Sequence, residues 1–330
     1  MRTIGATCTT GGPLRRPAAA VESLHPNKLG KGTAMSGHEL MMLCGIGGVL
    51  VAGWAAAARA GAPAGGAAES DIRLIVRGDD MGAAHAVNEA CIRCFRDGVV
   101  RTAEVMVPCP WYREAVRMLK ENPGLDAGVH LTLTSEWENC RWGPLTRAPS
   151  LMDAYGYFFP MTGQRPDFPP GTGFLQAGPK PEEVEQELRA QISRAKADIP
   201  QVSHLTDHMG AAGASPALRA IAERLAREFG LPLEAPGAKR APGLGGAKTS
   251  PEEKEETLLR TIENLAPGTW ILVDHPGLDV PEMQALGHKG YETVARDRAG
   301  VTRAFTSERV KRAIQSRGVR LMSYAEFHRK

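Results

Sequence analysis

IRLIVRGDDMG, residues 72–82, decides how the chain is read. Ile72 to Val76 is a short run of branched apolar side chains bounded by charge, the composition of a buried strand. It runs out into Gly78-Asp79-Asp80-Met81-Gly82, and 83–96 then places Ala86, Val87, Ala90, Cys91 and Cys94 on one helical face. The same alternation continues outward. Strands are expected at 100–107, 127–133, 202–205, 231–234, 270–273 and 319–322, and helices at 111–121, from Pro181, and at 215–229, 250–265 and 307–317. Pro181 with PEEVEQE behind it is a first-turn proline followed by dipole-compatible acids. Repeated strand and helix units with short turns imply an α/β fold with mainly parallel strands, and roughly seven strands favour closure into a barrel.

The bulk composition fits such a domain. Of 330 residues, 42% are apolar and 23% charged, which excludes a disordered or fibrous chain. The net charge of +3 is too small for a nucleic-acid binder, and it is unevenly placed. Residues 1–60 hold a local +4, leaving 34 basic and 35 acidic residues in the remainder. That N-terminal part reads as a targeting segment, residues 1–70, ahead of one catalytic domain at 71–330. The uncharged run Leu40–Ala58 is long enough to span a bilayer, and Ala58-Arg59-Ala60 fits a signal-peptidase site. Export to a periplasmic or extracellular location is the leading reading, with a membrane anchor at 40–58 as the alternative. Beyond it, Cys91-x-x-Cys94 lies in a helical pattern with no second pair and reads as core packing. The glycine-rich stretch 237–249 lacks phosphate-loop spacing and reads as a surface loop.

Ionisable residues gather where strands end. Asp79-Asp80 follows the first strand, His130 lies in the third (GVHL, 128–131), His204, Asp207 and His208 leave the fourth (SHLTDH, 203–208), and Asp274-His275 leaves the strand at 270. The carboxyl edge is where parallel α/β sheets and barrels hold their active sites. A carboxylate with two imidazoles is a common ligand set for a catalytic divalent metal. Each cluster alone has a structural explanation: a helix cap for Asp79-Asp80, a core histidine for His130, a turn for His275-Pro-Gly. All four together would require four coincidences.

These motifs, RGDDMG, GVHL, SHLTDH and DHPG, resemble those of the YdjC-like carbohydrate deacetylases, as do Asn88-Glu89, ELRAQI at 187–192 and GVRLMSYAEF at 318–327. The resemblance covers about Arg73 to Phe327. It implies a deformed (β/α) barrel, one divalent metal ion (Mg or Zn, Mg favoured), and removal of an N-acetyl group from an amino-sugar in an oligosaccharide or glycoconjugate. Carried over by position, Asp80, His130 and His208 are the expected metal ligands, Asp79 the general base and His275 the acid. His204 and Asp207 are expected to support them. The chain departs from the family pattern at Thr206, where Asp is common, and at Gly210, where a further His is common. These departures motivate a rival reading, a glycan-binding protein without turnover. An oligomer is compatible with either.

The long loop from Thr134 to Lys180 is the expected specificity element. Aromatic faces suit sugar rings, which makes Trp137 and Trp142 the substrate-contact candidates, whereas Tyr155, Tyr157, Phe158 and Phe159 equally suit a hydrophobic cluster pinning the loop.

Overall fold

The computed structural model describes residues 71–329. The expectations for the targeting segment and its membrane run fall outside this range. Among the described residues no helix is long and apolar enough to cross a membrane.

The backbone is built of seven strands and nine α-helices in the described region. In chain order these are β1 (Ile72–Met81), α1 (His85–Arg96), β2 (Thr102–Val105), α2 (Tyr112–Glu121), β3 (Asp126–Leu131), α3 (Pro181–Asp198), β4 (Val202–Asp207) and α4 (Pro216–Phe229). They continue with β5 (Lys239–Arg240), α5 (Pro251–Asn264), β6 (Gly268–Asp274), α6 (Pro281–Gln284), α7 (Val294–Thr306), α8 (Glu308–Ser316), β7 (Arg320–Leu321) and α9 (Tyr324–His328). All pairings between the strands are parallel, in the order β4-β3-β2-β1-β6-β5, with β7 against the start of β1.

The sheet curls into a deformed barrel, and the segment 231–241 shows how. Leu233 forms a parallel bridge with Leu205 of β4, while Lys239 and Arg240 pair with Trp270 and Ile271 of β6. One irregular stretch therefore touches both outer strands and spans the gap between them. A regular strand at 231–234 is not formed; Glu234 has φ of +59° and prolines at 232 and 236 lack the N–H a ladder needs. That expectation is corrected to a single bridge followed by β5.

Two apolar layers hold this arrangement. The larger lies between strands and outer helices and contains Leu74, Val76, Val105, Val129, Leu205 and Leu272 with the helix stripes, Cys91 and Cys94 included. A smaller cluster of Ile75, Ile271, Met322, Tyr324 and Phe327 plugs one region of the barrel. Helix ends follow their sequence signals: Ser250 and Glu253 form a reciprocal cap on α5, and Ser215 accepts from Leu218 N–H on α4. ELRAQI has a structural task, since the buried Glu187 carboxylate accepts from the backbone of Leu145 and Thr146 while Gln191 exchanges two hydrogen bonds with Thr132. It ties the long loop to the sheet.

Helix α7, absent from the sequence expectations, packs closely on α5 because Gly300 has no side chain. A Cβ there would stand 2.9 Å from Lys254 Cδ and 3.1 Å from Pro251 Cα. Gly300→Ala is expected to destabilise by about 1–3 kcal/mol through overpacking, read by denaturant unfolding. An unchanged midpoint would show that the contact yields freely.

Candidate active site

A cavity of about 720 Å³ opens at the carboxyl ends of the strands. Asp79, Asp80, His130, Asp207, His208 and His275 all line it, so residues separated by up to two hundred positions meet there.

The β1 exit solves a geometric problem. Successive strand residues point to opposite faces, so Asp79 and Asp80 would ordinarily diverge. Here the register with β2 shifts between Gly78 and Met81, so that both aspartates oppose Glu104, and Asp80 takes φ of +71°. Both carboxylates then reach one imidazole: His130 Nε2 lies 3.6 Å from Asp80 Oδ1 and 3.7 Å from Asp79 Oδ2. A left-handed aspartate that is 1% exposed is a strained residue held by its surroundings. Asn88 is one of the groups that brace the turn, its Oδ1 accepting from Gly82 N–H at 2.7 Å.

His208 follows β4 in a tight turn in which Met209 and Gly210 both have positive φ. Its Nδ1 is 3.3 Å from Asp80 Oδ1 and its Nε2 3.1 Å from Glu136 Oε2. Asp80 Oδ1 is thus buried between two imidazoles, yet no well-directed hydrogen bond reaches it. One ligand atom from each of Asp80, His130 and His208 lies within 4.8 Å of the others, all buried. An orphaned carboxylate oxygen facing two imidazoles fits a divalent cation, the nitrogen-rich donor set being one that Zn²⁺ takes readily, and the residues named for it from sequence are the ones that meet.

The charges around this centre are arranged in pairs. Arg77 grips Asp79 with Nε and Nη2 at 2.7 and 2.8 Å, and its Nη1 donates to Glu234 and Tyr324. Arg298, delivered by α7, donates from Nη2 to Asp80 Oδ2 at 2.7 Å and sits over the Trp137 ring. Its Nε and Nη1 have no hydrogen-bond partner among the described residues. Burial alone would push the Asp80 carboxyl up; Arg298 first, then His275 and His208, hold it well below the carboxylate range instead. Burial and the neighbouring His208 push His130 down, which leaves it neutral.

For His208 burial again disfavours the charge, but Glu136 and Asp80 outweigh it and the imidazole is pushed up to about 10. In the metal-free protein this proton stays bound below that pH, so a metal must displace it. Metal affinity is therefore expected to weaken about tenfold for each unit of pH lowered from 8 to 6. Calorimetric titration in two buffers of different ionisation enthalpy would register the released proton; affinity and heat independent of pH and buffer would refute the assignment.

The supporting residues lie one layer deeper or to the side. His204, fully buried, places Nε2 2.9 Å from Glu104 Oε1 and stacks on Tyr324 at 3.9 Å. Asp207 accepts from Ala212 and Gly213 N–H and thereby shapes the turn carrying His208. His275, a half-exposed member of the cavity lining, is pushed up: partial desolvation works against its charge, but Asp80 and then Asp274, whose Oδ1 lies 3.8 Å from its Nδ1, outweigh it.

The two tryptophans part company. Trp137 lines the cavity, is 1% exposed, and has an Nε1–H without a partner among the described residues. Trp142 does not line it: its Nε1 donates to Thr134 O at 2.8 Å and its ring meets Trp137 edge-on at 5.7 Å. Trp142 as a substrate contact is corrected to a core residue that fixes the loop and backs Trp137. Phe158 is buried with it, whereas Tyr155 and Tyr157 are exposed.

The comparisons agree in extent with this site. Residues 73–316 match the family described as YdjC-like protein. The chain is similar to a carbohydrate deacetylase of Brevibacillus brevis, 28% identical over 272 residues that cover 77% of this chain and 99% of the relative. It is also similar to a carbohydrate deacetylase of Thermus thermophilus, 34% identical over 237 residues covering 64% of this chain and 80% of the relative. Among solved structures, one from Enterococcus faecalis described as a cellobiose-phosphate cleavage protein matches with a TM-score of 0.62 at 26% identity, covering 77% of this chain and 98% of the other. The matched span includes the bulged aspartates of β1, both cavity imidazoles beside them, His275 and the arginine of α7, and the chain belongs to the YdjC-like family.

Proposed function

We propose that the protein is a metal-dependent carbohydrate deacetylase, a hydrolase that releases acetate from an N-acetylated amino-sugar in an oligosaccharide or glycoconjugate. The observation that carries this reading is the convergence of Asp79, Asp80, His130, His208 and His275 on one cavity. The names of the curated relatives support the carbohydrate and the acetyl group.

Asp80 Oδ1, His130 Nε2 and His208 Nδ1 would hold the metal, which when bound lowers the pKa of a water and polarises a carbonyl. Asp79, clamped by Arg77, takes the proton from the attacking water. Arg298 Nε–H and Nη1–H, buried at the cavity wall without hydrogen-bond partners among the described residues, suit the acetamide oxygen as negative charge develops on it. His275, shifted toward its charged form, gives its proton to the departing amine. Trp137 offers the remaining Nε1–H to a sugar hydroxyl.

Thr206 no longer argues for a binder without turnover, because Glu104 supplies a buried carboxylate beside it. Incubation with N-acetylated oligosaccharides is expected to yield free amine and acetate in equal amounts. Binding of the same sugars with no acetate released would select the binder. We also propose export with cleavage near Ala58-Arg59-Ala60, which N-terminal sequencing of the secreted protein tests.

A further inference from the structure

Thr206 occupies a position where a carboxylate was expected, and the structure links it to one on the neighbouring strand. His130 and Thr206 are register partners on β3 and β4, and His130 Nδ1 lies 2.8 Å from Thr206 Oγ1. Thr206 Oγ1 in turn lies 2.6 Å from Glu104 Oε2 on β2, and Glu104 Oε1 lies 2.9 Å from His204 Nε2. Glu104, Thr206 and His204 are all fully buried. The contact between Glu104 and His204 passes over β3 at Gly128, where a Cβ would come within 2.0 Å of Glu104 Oε2 and 2.5 Å of His204 Nε2.

We propose that Glu104 and Thr206 are positioning residues that fix the tautomer of His130, so that its Nε2 lone pair is free for the metal. Counting hydrogens gives the direction of the relay. An ionised carboxylate can only accept, so Thr206 donates its single hydroxyl hydrogen to Glu104. The Thr206 oxygen then accepts from His130, whose hydrogen must be on Nδ1, and Nε2 is left bare. Burial alone would favour a neutral Glu104; His204 and then Arg77 outweigh it and keep the group ionised.

The relay has something to overcome. Nε2 faces two carboxylates, Asp79 and Asp80, at 3.7 and 3.6 Å. In a metal-free site these acceptors favour the other tautomer, with its hydrogen on Nε2 and the metal position blocked. An acceptor on the Nδ1 side that cannot itself donate to His130 tips the balance. A carboxylate at 206 would do this directly; here the work is split between a hydroxyl on β4 and a carboxylate on β2. Outer partners of metal-bound histidines act in this way generally.

The inference rests on the metal reading above, and its test uses no turnover. In chelator-stripped protein labelled with ¹⁵N-histidine, long-range proton–nitrogen spectra should find His130, assigned by comparison with His130→Gln, in the Nδ1–H form. Zn²⁺ titration of Thr206→Val, which keeps shape and loses the hydroxyl, should show affinity about 10- to 100-fold weaker, and Thr206→Ser should restore it. Thr206→Asp alone opposes two buried carboxylates and should bind poorly, whereas Thr206→Asp with Glu104→Gln should recover most of the affinity. An Nε2–H tautomer in the wild-type protein, or wild-type Zn²⁺ affinity in a folded Thr206→Val, would overturn the proposal. A protein that binds Zn²⁺ as described yet releases no acetate would instead overturn the deacetylase reading alone.

Discussion

Asp79→Asn is expected to lower acetate release by about 10²- to 10⁴-fold while leaving metal content unchanged. The reason is the division of labour between adjacent aspartates. Asp80 Oδ1 belongs to the group that meets within 4.8 Å, and Asp79 stands beside it with both oxygens held by Arg77. Asparagine preserves the shape and can still accept one Arg77 hydrogen bond, while Tyr324 and Glu234 retain the others, so the fold survives. What is lost is a group able to take a proton. Unimpaired turnover, or a loss of metal equal to that of His208→Ala, would contradict the assignment.

Asp80→Ala should be the most damaging single change in the site. Arg298 is 4% exposed and, among the described residues, already has two N–H groups without partners and depends on Asp80 for its one charge-assisted hydrogen bond. Removing one member of a buried pair costs about 3–5 kcal/mol. An alanine at φ of +71° adds roughly 1–2 kcal/mol more, because its Cβ crowds the backbone where aspartate is better tolerated. Metal binding should vanish along with a large part of the stability, seen as a lowered unfolding midpoint. Asp80→Asn combined with Arg298→Met should regain stability and still bind no metal, which separates the electrostatic role from the ligand role. A wild-type midpoint in Asp80→Ala would show that Arg298 finds another partner.

The parts of this molecule that sequence made legible are those in which local pattern and global position coincide. The strand Ile72–Val76, the caps at Ser250 and Ser215, and the clusters at 79–80, 130, 204–208 and 275 carry their meaning within a few residues. Three charged participants were hidden, each for a physical reason. Glu104 sits inside the expected strand at 100–107, where its only signal is a charge amid an apolar run; it becomes informative once β2 and β4 are both seen against β3. Glu136 lies in the loop after β3, where acids are ordinary. Arg298 belongs to α7, whose pattern is masked by Gly300 and several charges. Yet Val294, Arg298, Val301 and Phe305 share helical spacing and all are buried. A cation on that stripe was the available sign of a buried ion pair. The closing segment 231–241 carries no such sign, because a bridge between two outer strands has no period of its own.

The different placement of Trp137 and Trp142 is hidden in the sequence for a similar reason. Composition cannot distinguish an aromatic ring that faces a ligand from one that anchors a loop. The distinction lies in hydrogen bonding: Trp142 spends its N–H on Thr134 O, whereas that of Trp137 has no partner among the described residues and lies at the cavity wall.

The most direct test of the account is acetate release from N-acetylated oligosaccharides by the full chain before chelation, after chelation, and after adding back Mg²⁺ or Zn²⁺. The account predicts release that chelation abolishes and one of these ions restores, with Asp79→Asn inactive although metal-loaded. Undiminished release from protein verified to be free of metal would contradict it.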